Sequence, residues 1–234
     1  MNIYDAQISA VLELLNSEIA RKLEMANAHW EDVGKHNLVL RSEMAYELGA
    51  GTLPALSFLG ITSSSALVPE DSLRLYGDDL SQITSNTPYA RITLLRIDET
   101  LLGKGEAIYD AMHRFMNTRY DVNPEGFMNR ISTSNSHEPV RVSRKAITEG
   151  IDFAKVAQLY FDAYKSHKEV LSVQVLFVTL PDFDYEALAK LTQKSDAITT
   201  ALDHILRDVK MDCASCALQV ICNEVEGLKE HHFS

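Results

Sequence analysis

The three cysteines of this 234-residue chain lie close together near its C-terminal end. Cys213, Cys216 and Cys222 have the spacing C-x2-C-x5-C, and the sequence contains no other cysteine. A C-x2-C pair directs two thiolates toward one point, and a third thiolate nearby supplies another corner of the tetrahedron that zinc and the irons of iron–sulfur clusters prefer. The pattern therefore predicts a metal or cluster site at these residues and leaves its fourth ligand unassigned.

Several donors could supply the fourth ligand. His231 or His232 could complete a zinc site after a loose spacer, although two histidines in this position are also typical of a frayed terminus. A [4Fe-4S] cubane would take its fourth ligand from a histidine, a carboxylate, a partner chain or a substrate. A redox-active C-x2-C pair is the competing interpretation, but such a pair is expected at a helix start after a strand. Here the cysteines follow a long predicted helix, which favours metal binding.

Four basic residues are candidate ligands for an anion. Arg130, Arg141, Arg144 and Lys145 lie in or beside predicted extended segments. Guanidinium groups there can make bidentate contacts with phosphate, as in coenzyme A or another phosphate ligand. The alternative is a solvated basic face on an acidic protein. The usual motifs of P-loop, Rossmann, serine-hydrolase and zincin proteins are missing from the sequence, so those functions lack support.

Composition limits the classes of partner. The formal net charge is −11, which disfavours binding to nucleic acid or to an anionic membrane. No apolar run reaches the ~18 residues needed to span a membrane. Residues 1–5 lack the features of a secretory signal. We therefore expect a cytoplasmic protein in a reducing compartment, where clustered thiols bind metal rather than form disulfides.

Hydrophobic periodicity predicts the elements that position these residues. Apolar residues at spacings of three and four predict a long helix over residues 3–31, used for core packing or for contact between copies of the chain. A short helix is predicted over residues 41–48. Residues 90–98 and 171–180 are rich in β-branched residues and predict strands. Further helices are predicted to begin after three capping residues, Ser143, Asp152 and Asp184.

Together these elements predict an α+β fold. We expect a mixed sheet with helices packed on one face, a long N-terminal helix and a C-terminal cysteine-rich metal-binding segment. The polar, turn-rich residues 81–88 predict a domain boundary. The expected units are an N-terminal helical or mixed lobe over residues 1–86, an α+β domain over 87–210 and a cysteine-rich tail over 211–234.

The second half of the chain resembles the β subunit of the carbon monoxide dehydrogenase/acetyl-CoA synthase family. The resemblance covers residues 90–222 and rests on the segments ITLLRID (92–98), LGKGEAI (102–108), NPEGFMNRIS (123–132), VRVSRKA (140–146) and VQVLFVTL (173–180). In that family the α+β middle domain offers basic residues to coenzyme A, and the following cysteine segment binds a [4Fe-4S] cluster bridged to nickel. The resemblance thus implies that Cys213, Cys216 and Cys222 match the start of a cluster-binding segment.

Three departures from the family pattern limit this resemblance. The family's third cysteine lies further from the second than Cys222 lies from Cys216. The family also uses a fourth cluster cysteine and a later Cys-Gly-Cys element for nickel, and this sequence has neither. We therefore expect an iron–sulfur subunit or accessory protein of a larger complex in anaerobic metabolism, rather than a complete acetyl-CoA synthase. Whether the chain itself is an enzyme stays open. The alternatives are a structural zinc module without catalysis and a binding domain for coenzyme A or another phosphate ligand.

Overall fold

The computed structural model describes residues 2–25, 29–130, 137–206 and 216–225. Within them, six α-helices accompany a five-stranded and a three-stranded sheet. The helices are α1 (Asp5–Asn16), α2 (Glu106–Asp121), α3 (Arg144–Glu149), α4 (Phe153–Lys165), α5 (Tyr185–Leu206) and α6 (Gln219–Glu224). The strands are β1 (Arg21–Leu23), β2 (Met44–Leu48), β3 (Ala55–Thr62), β4 (Ser72–Tyr76), β5 (Tyr89–Ile97), β6 (Phe127–Asn129), β7 (Val140–Ser143) and β8 (Val170–Val178). Two short 3₁₀ helices lie at Gly34–His36 and Glu99–Leu101.

The larger sheet has the strand order β1-β4-β8-β5-β3 and is mixed. β3 runs parallel to β5 and β4 runs parallel to β8, whereas the central pair β5 and β8 is antiparallel. Every residue of β8 except Leu171 is buried, and every residue of β5 except Arg96 is buried. The apolar runs that predicted these two strands therefore arise because both strands lie in the middle of the sheet.

The smaller sheet has the order β2-β7-β6 and is antiparallel. The side chain of Asn37 extends the hydrogen bonding of this sheet beside β6. Its amide nitrogen donates to the carbonyl oxygens of Pro124 (2.8 Å) and Phe127 (2.9 Å), and its oxygen accepts from the backbone N–H of Gly126 (3.2 Å). One side chain thus ties the 30s loop to the turn that opens β6.

Helices cover both faces of the larger sheet, which differs from the expected packing on one face. Arg91 on β5 contacts Tyr160 of α4, and Ser57 is its partner in register on β3. Gly60 points to the opposite face, because side chains alternate along a strand. There it approaches Ile8 of α1 so closely that a Cβ atom on Gly60 would lie 2.6 Å from Ile8 Cγ1. The fold is α+β with a mixed sheet, as predicted.

Two predictions for the N-terminal part are wrong. The first helix ends at Asn16 instead of near residue 31, and the chain continues into strand β1, which pairs antiparallel with β4. Ile19, an apolar residue inside the range predicted as helix, is 92% exposed. Residues 41–48 were predicted as helix, but Met44–Leu48 form a strand because they pair with β7. In both places, hydrogen bonding to a distant strand outweighs the local pattern.

The three predicted helix caps are confirmed. The side chain of Ser143 accepts from the N–H of Ala146 before α3, and Asp152 accepts from Lys155 before α4. An oxygen of Asp184 accepts from the N–H of Ala187 (2.9 Å) at the start of α5. These short polar side chains satisfy N–H groups that the first helical turn leaves without partners.

Both sheets join residues on the two sides of the expected boundary at residue 86. In the larger sheet β3 pairs with β5 over eight residues in register, and β4 pairs with β8. In the smaller sheet β2 pairs with β7. The segments 1–86 and 87–206 therefore contribute strands to the same sheets.

The close contact at Gly60 gives a test of the packing of α1. We expect Gly60→Ala to lower the free energy of unfolding by about 1–3 kcal/mol, because the new methyl group would overlap Ile8. Denaturant unfolding measures this change. In an Ile8→Ala background the overlapping Ile8 atoms are gone and, of the three nearest atoms, only Phe58 Cε1 stays close (3.0 Å), so the same Gly60→Ala substitution should cost less. An equal cost in both backgrounds would contradict the packing described here.

Candidate functional site

The predicted metal ligands are only partly within the described residues. Cys216 and Cys222 are both half-buried, and α6 (Gln219–Glu224) carries the second of them. The N–H of Cys222 donates to the carbonyl oxygen of Leu218 (3.1 Å), which fixes the backbone at this thiol. Cys213, His231 and His232 lie outside the described residues. The structure therefore places two of the five predicted ligands on one short segment.

This segment, residues 216–225, packs against the rest of the fold. Leu218, Ile221, Cys222 and Val225 contact the hydrophobic core. Lys194 of α5 and Glu224 form an ion pair of 3.2 Å at its end. Among the described residues, no group of three or more His, Cys, Asp or Glu side chains is arranged to hold a metal ion. The segment 216–225 is thus attached to α5. Cys213, the remaining predicted thiol ligand, lies outside the described residues.

Arg130 and Arg141 of the predicted anion site share one carboxylate. Glu47 is 8% exposed. Its Oε1 lies 2.5 Å from Nη1 of Arg130, and its Oε2 lies 3.4 Å from Nε of Arg141. Arg141 also donates to the carbonyl oxygen of Val39 (3.3 Å). A phosphate at these two arginines would have to compete with Glu47.

Arg144 and Lys145 lie apart from that pair, at the start of α3. Arg144 donates to the carbonyl oxygens of Ser42 and Met44. Lys145 pairs with Glu125 (2.9 Å) and Glu149 (3.7 Å), and the hydrogen bond to Glu125 raises the pKa of Lys145.

These two residues line a cleft of about 560 Å³ together with three carboxylates and several neutral groups. The lining residues that carry charge are Arg144, Lys145, Glu43, Glu125 and Glu149. The carboxylates offset the two cations, so the cleft is not a strongly positive site. A site for coenzyme A or another phosphate ligand at the four basic residues stays a prediction.

A buried ionic cluster, which the sequence did not predict, joins the larger sheet to α2, to α4 and to the segment before β7. We use "Arg91 cluster" for Ser57, Arg91, Arg119, Glu138 and Tyr160. Arg91 is 2% exposed and donates to Glu138 Oε2 (2.6 Å), Ser57 Oγ (2.9 Å) and the hydroxyl of Tyr160. Arg119 Nη1 lies 3.2 Å from the other oxygen of Glu138. One carboxylate therefore lies between two guanidinium groups inside the protein.

The charges of the Arg91 cluster stabilise each other. Burial alone would lower the pKa of Arg91, but Tyr160 and Glu138 raise it above its usual value, so Arg91 stays charged. Burial raises the pKa of Tyr160, although Arg91 opposes that shift, and Tyr160 therefore stays neutral. The guanidinium of Arg91 also lies 4.2 Å from the centre of the Tyr160 ring, in a cation–π contact. The sequence signal for this cluster was an arginine inside an apolar, β-branched strand, because a buried charge requires a partner.

A small polar cavity borders the Arg91 cluster. It has a volume of about 20 Å³, and Ser57, Arg119 and Asp196 are among its lining residues. That volume is enough for one water molecule. Burial raises the pKa of Asp196 from 3.8 to about 6, the charge of Arg119 lowers it, and that of Glu138 raises it. The carboxyl group of Asp196 thus has its pKa near 6.

Comparison of the chain with protein-family models and with curated proteins finds no match. The resemblance to acetyl-CoA synthase therefore stays a prediction from the sequence segments themselves. Among the described helices, none has the length and apolar character needed to cross a lipid bilayer.

Removing the carboxylate of the Arg91 cluster should destabilise the protein strongly. We expect Glu138→Gln to lower the free energy of unfolding by about 3–5 kcal/mol, because two buried guanidinium groups would lose their counter-charge. The matched control is Glu186→Gln, which breaks an exposed pair with Lys190 and should change stability by about 0.5 kcal/mol or less. Equal effects of the two substitutions in urea unfolding would contradict the structural role of Glu138.

The raised pKa of Asp196 predicts a pH dependence of stability. Since the folded state binds this proton more tightly than the unfolded state, the contribution of Asp196 is favourable below pH 3.8 and is lost as pH rises through about 6. Asp196→Asn should therefore flatten the dependence of unfolding free energy on pH between these values and raise stability at pH 7 relative to the wild type. Urea titrations at several pH values measure both effects. A steeper profile in the variant would contradict the direction of the shift.

Proposed function

We propose that this chain is an iron–sulfur subunit or accessory protein of a larger enzyme complex, with Cys213, Cys216 and Cys222 as its cluster ligands. The observation that carries the proposal is the attachment of the cysteine segment to the fold. Cys216 and Cys222 lie on residues 216–225, from which Leu218, Ile221 and Val225 pack against the core. A ligand segment held in this way loses less conformational freedom on binding metal than a free tail does.

The donor set supports a cluster or a metal of similar softness. Thiolates select zinc, copper(I) and iron–sulfur clusters over magnesium or calcium. Cys222 is half-buried beside Leu218 and Ile221, and a hydrophobic surround of this kind limits solvent access and tunes the potential of a bound centre. A cluster held by three cysteines would supply electron transfer or one open iron for a substrate or partner.

The proposed role as a subunit rests on the fourth coordination position, which three thiolates leave unfilled. A fourth ligand from another polypeptide would complete the coordination, so assembly and cluster loading would be linked. The sequence resemblance to a subunit of an acetyl-CoA-forming complex favours anaerobic metabolism as the setting. The Arg91 cluster is consistent with a scaffold role, because its charged groups bond to each other inside the protein.

Structural zinc is the alternative from a different functional class. In that case His231 or His232 would complete a closed tetrahedral site with the cysteines. Metal removal would then loosen the segment 216–225 from α5, without loss of an activity. Iron–sulfur clusters absorb visible light and zinc does not, so colour separates the two candidates.

The test is metal analysis of the full chain purified without oxygen. We expect brown protein with bound iron and sulfide, and Cys216→Ser should retain less than about a tenth of the bound iron because a ligand is lost. The matched control is Ala217→Ser, which changes an exposed neighbour to the same residue type and should retain the iron. Thermal unfolding of both variants checks that they are folded.

Three outcomes would change the proposal. Colourless protein with stoichiometric zinc would replace it with the structural-zinc alternative. Full iron retention in Cys216→Ser would place the ligands elsewhere. Protein without iron or zinc would remove metal binding as the function.

A further inference from the structure

Strand β1 lies at one edge of the larger sheet, and that edge is open as far as the structure describes the chain. Arg21, Lys22 and Leu23 pair with β4 on one side, and β1 is the last strand in the order β1-β4-β8-β5-β3. Along any strand, alternate residues direct their N–H and C=O groups to opposite edges. In the described part of the chain, no strand pairs with the outer side of β1. Backbone donors and acceptors are therefore presented there to an additional strand.

Two exposed apolar side chains flank this edge. Ile19 is 92% exposed and Met25 is 48% exposed, on the two sides of Arg21–Leu23. Ile19 has the largest exposed fraction of the large hydrophobic residues that the structure describes. Exposed apolar groups next to an open strand edge are typical of a surface that is covered by a partner.

The charge pattern of the edge indicates the chemistry of that partner. Lys22 lies directly opposite Arg74 of β4 in the strand register. Like charges at directly opposite positions repel each other. Within the described ranges, neither residue has an acidic group within 4.0 Å, whereas their neighbour Arg21 is paired with Asp79 (2.7 Å). Two adjacent cations that have no counter-charge among the described residues, in a chain of net charge −11, mark a local site for external carboxylates.

We propose that β1 is a docking edge for an extended acidic segment of a partner protein. The partner backbone would add a strand beside Arg21–Leu23, its carboxylates would contact Lys22 and Arg74, and its apolar residues would cover Ile19 and Met25. Main-chain hydrogen bonds would supply affinity, and the charged and apolar contacts would supply selectivity.

The positions of nearby carboxylates fix where the partner's acidic residues belong. In the sequence, Glu18 precedes and Glu24 follows β1. Both would repel acidic residues at the ends of the added segment. The acidic residues of the partner should therefore lie in its middle, opposite Lys22. A second copy of the chain fits less well, because antiparallel pairing of two β1 strands would bring the two Lys22 side chains together.

The experiment uses the full chain and a fluorescent synthetic peptide of alternating valine and glutamate. We expect this peptide to bind in anisotropy titrations at low salt, and a matched peptide with lysine in place of glutamate to bind much more weakly. Lys22→Glu should weaken binding of the acidic peptide about tenfold, because an attraction becomes a repulsion. Lys35→Glu is the control: Lys35 is an exposed cation on the 3₁₀ helix Gly34–His36, and its reversal should leave the affinity unchanged.

Hydrogen exchange locates the peptide. Amides of Arg21–Leu23 that point away from β4 should gain protection when the acidic peptide is added. Equal binding of the two peptides, equal effects of Lys22→Glu and Lys35→Glu, or protection elsewhere would overturn the proposal. A dimer of this chain that Lys22→Glu dissociates would also overturn it, in favour of a second copy as the occupant.

This docking edge does not depend on the cysteine site. Cys216→Ser should bind the acidic peptide as the wild type does, and Lys22→Glu should retain the wild-type metal content. Failure of one proposal therefore leaves the other intact.

Discussion

The pairing of Arg91 with Glu138 is the interaction on which the arrangement of this protein depends. Arg91 lies on a central strand of the larger sheet, and Glu138 lies two residues before β7 of the smaller sheet. Tyr160 of α4 accepts a hydrogen bond from Arg91, and the side chain of Asn129 on β6 donates to the Tyr160 hydroxyl (2.7 Å). One buried cation is thus bonded to the larger sheet through Ser57, to the segment before β7 through Glu138 and to α4 through Tyr160. Because an unpaired charge in the interior is very costly, these elements are held in one relative position.

The Arg91–Glu138 pair also positions the segment that leads into β7 and to Arg141. The N–H of Glu138 donates to the carbonyl oxygen of Ala55 (2.9 Å), so the segment before β7 is also joined to β3. β7 then begins at Val140 and sets Arg141 beside Glu47 of β2. These charges therefore pair within the protein. Glu47 pairs with Arg130 and Arg141, and Glu138 pairs with Arg91 and Arg119. Charged groups that are paired with each other inside the protein help to specify a fold, and a ligand at these side chains would have to displace an existing partner.

The sequence predicted the elements whose signal is local. The caps at Ser143, Asp152 and Asp184 were predictable because each depends on a side chain and an N–H three residues away. The central strands were predictable because burial on both faces leaves a continuous apolar run. The hydrophobic pattern failed where pairing with a distant strand determines the local structure. Leu23 fits a helical stripe, yet it is buried as part of an edge strand against β4. The Arg91 cluster depends on five residues from separate segments, and only the arginine itself gave a signal within the β5 sequence.

The distribution of polar partners explains why functional chemistry is expected at the periphery. Inside the fold, Arg91 and Arg119 both pair with Glu138, whereas Cys216 and Lys22 lie on segments that the described part of the chain contacts from one side. Residues 216–225 rest on α5, and β1 rests on β4. Among the residues that the structure describes, each of these segments keeps exposed side chains, and neither contributes a residue to the buried ion pairs. A paired, buried interior with two peripheral segments agrees with the proposals that an inorganic centre and another polypeptide bind at those segments, because binding there would leave the interior unchanged.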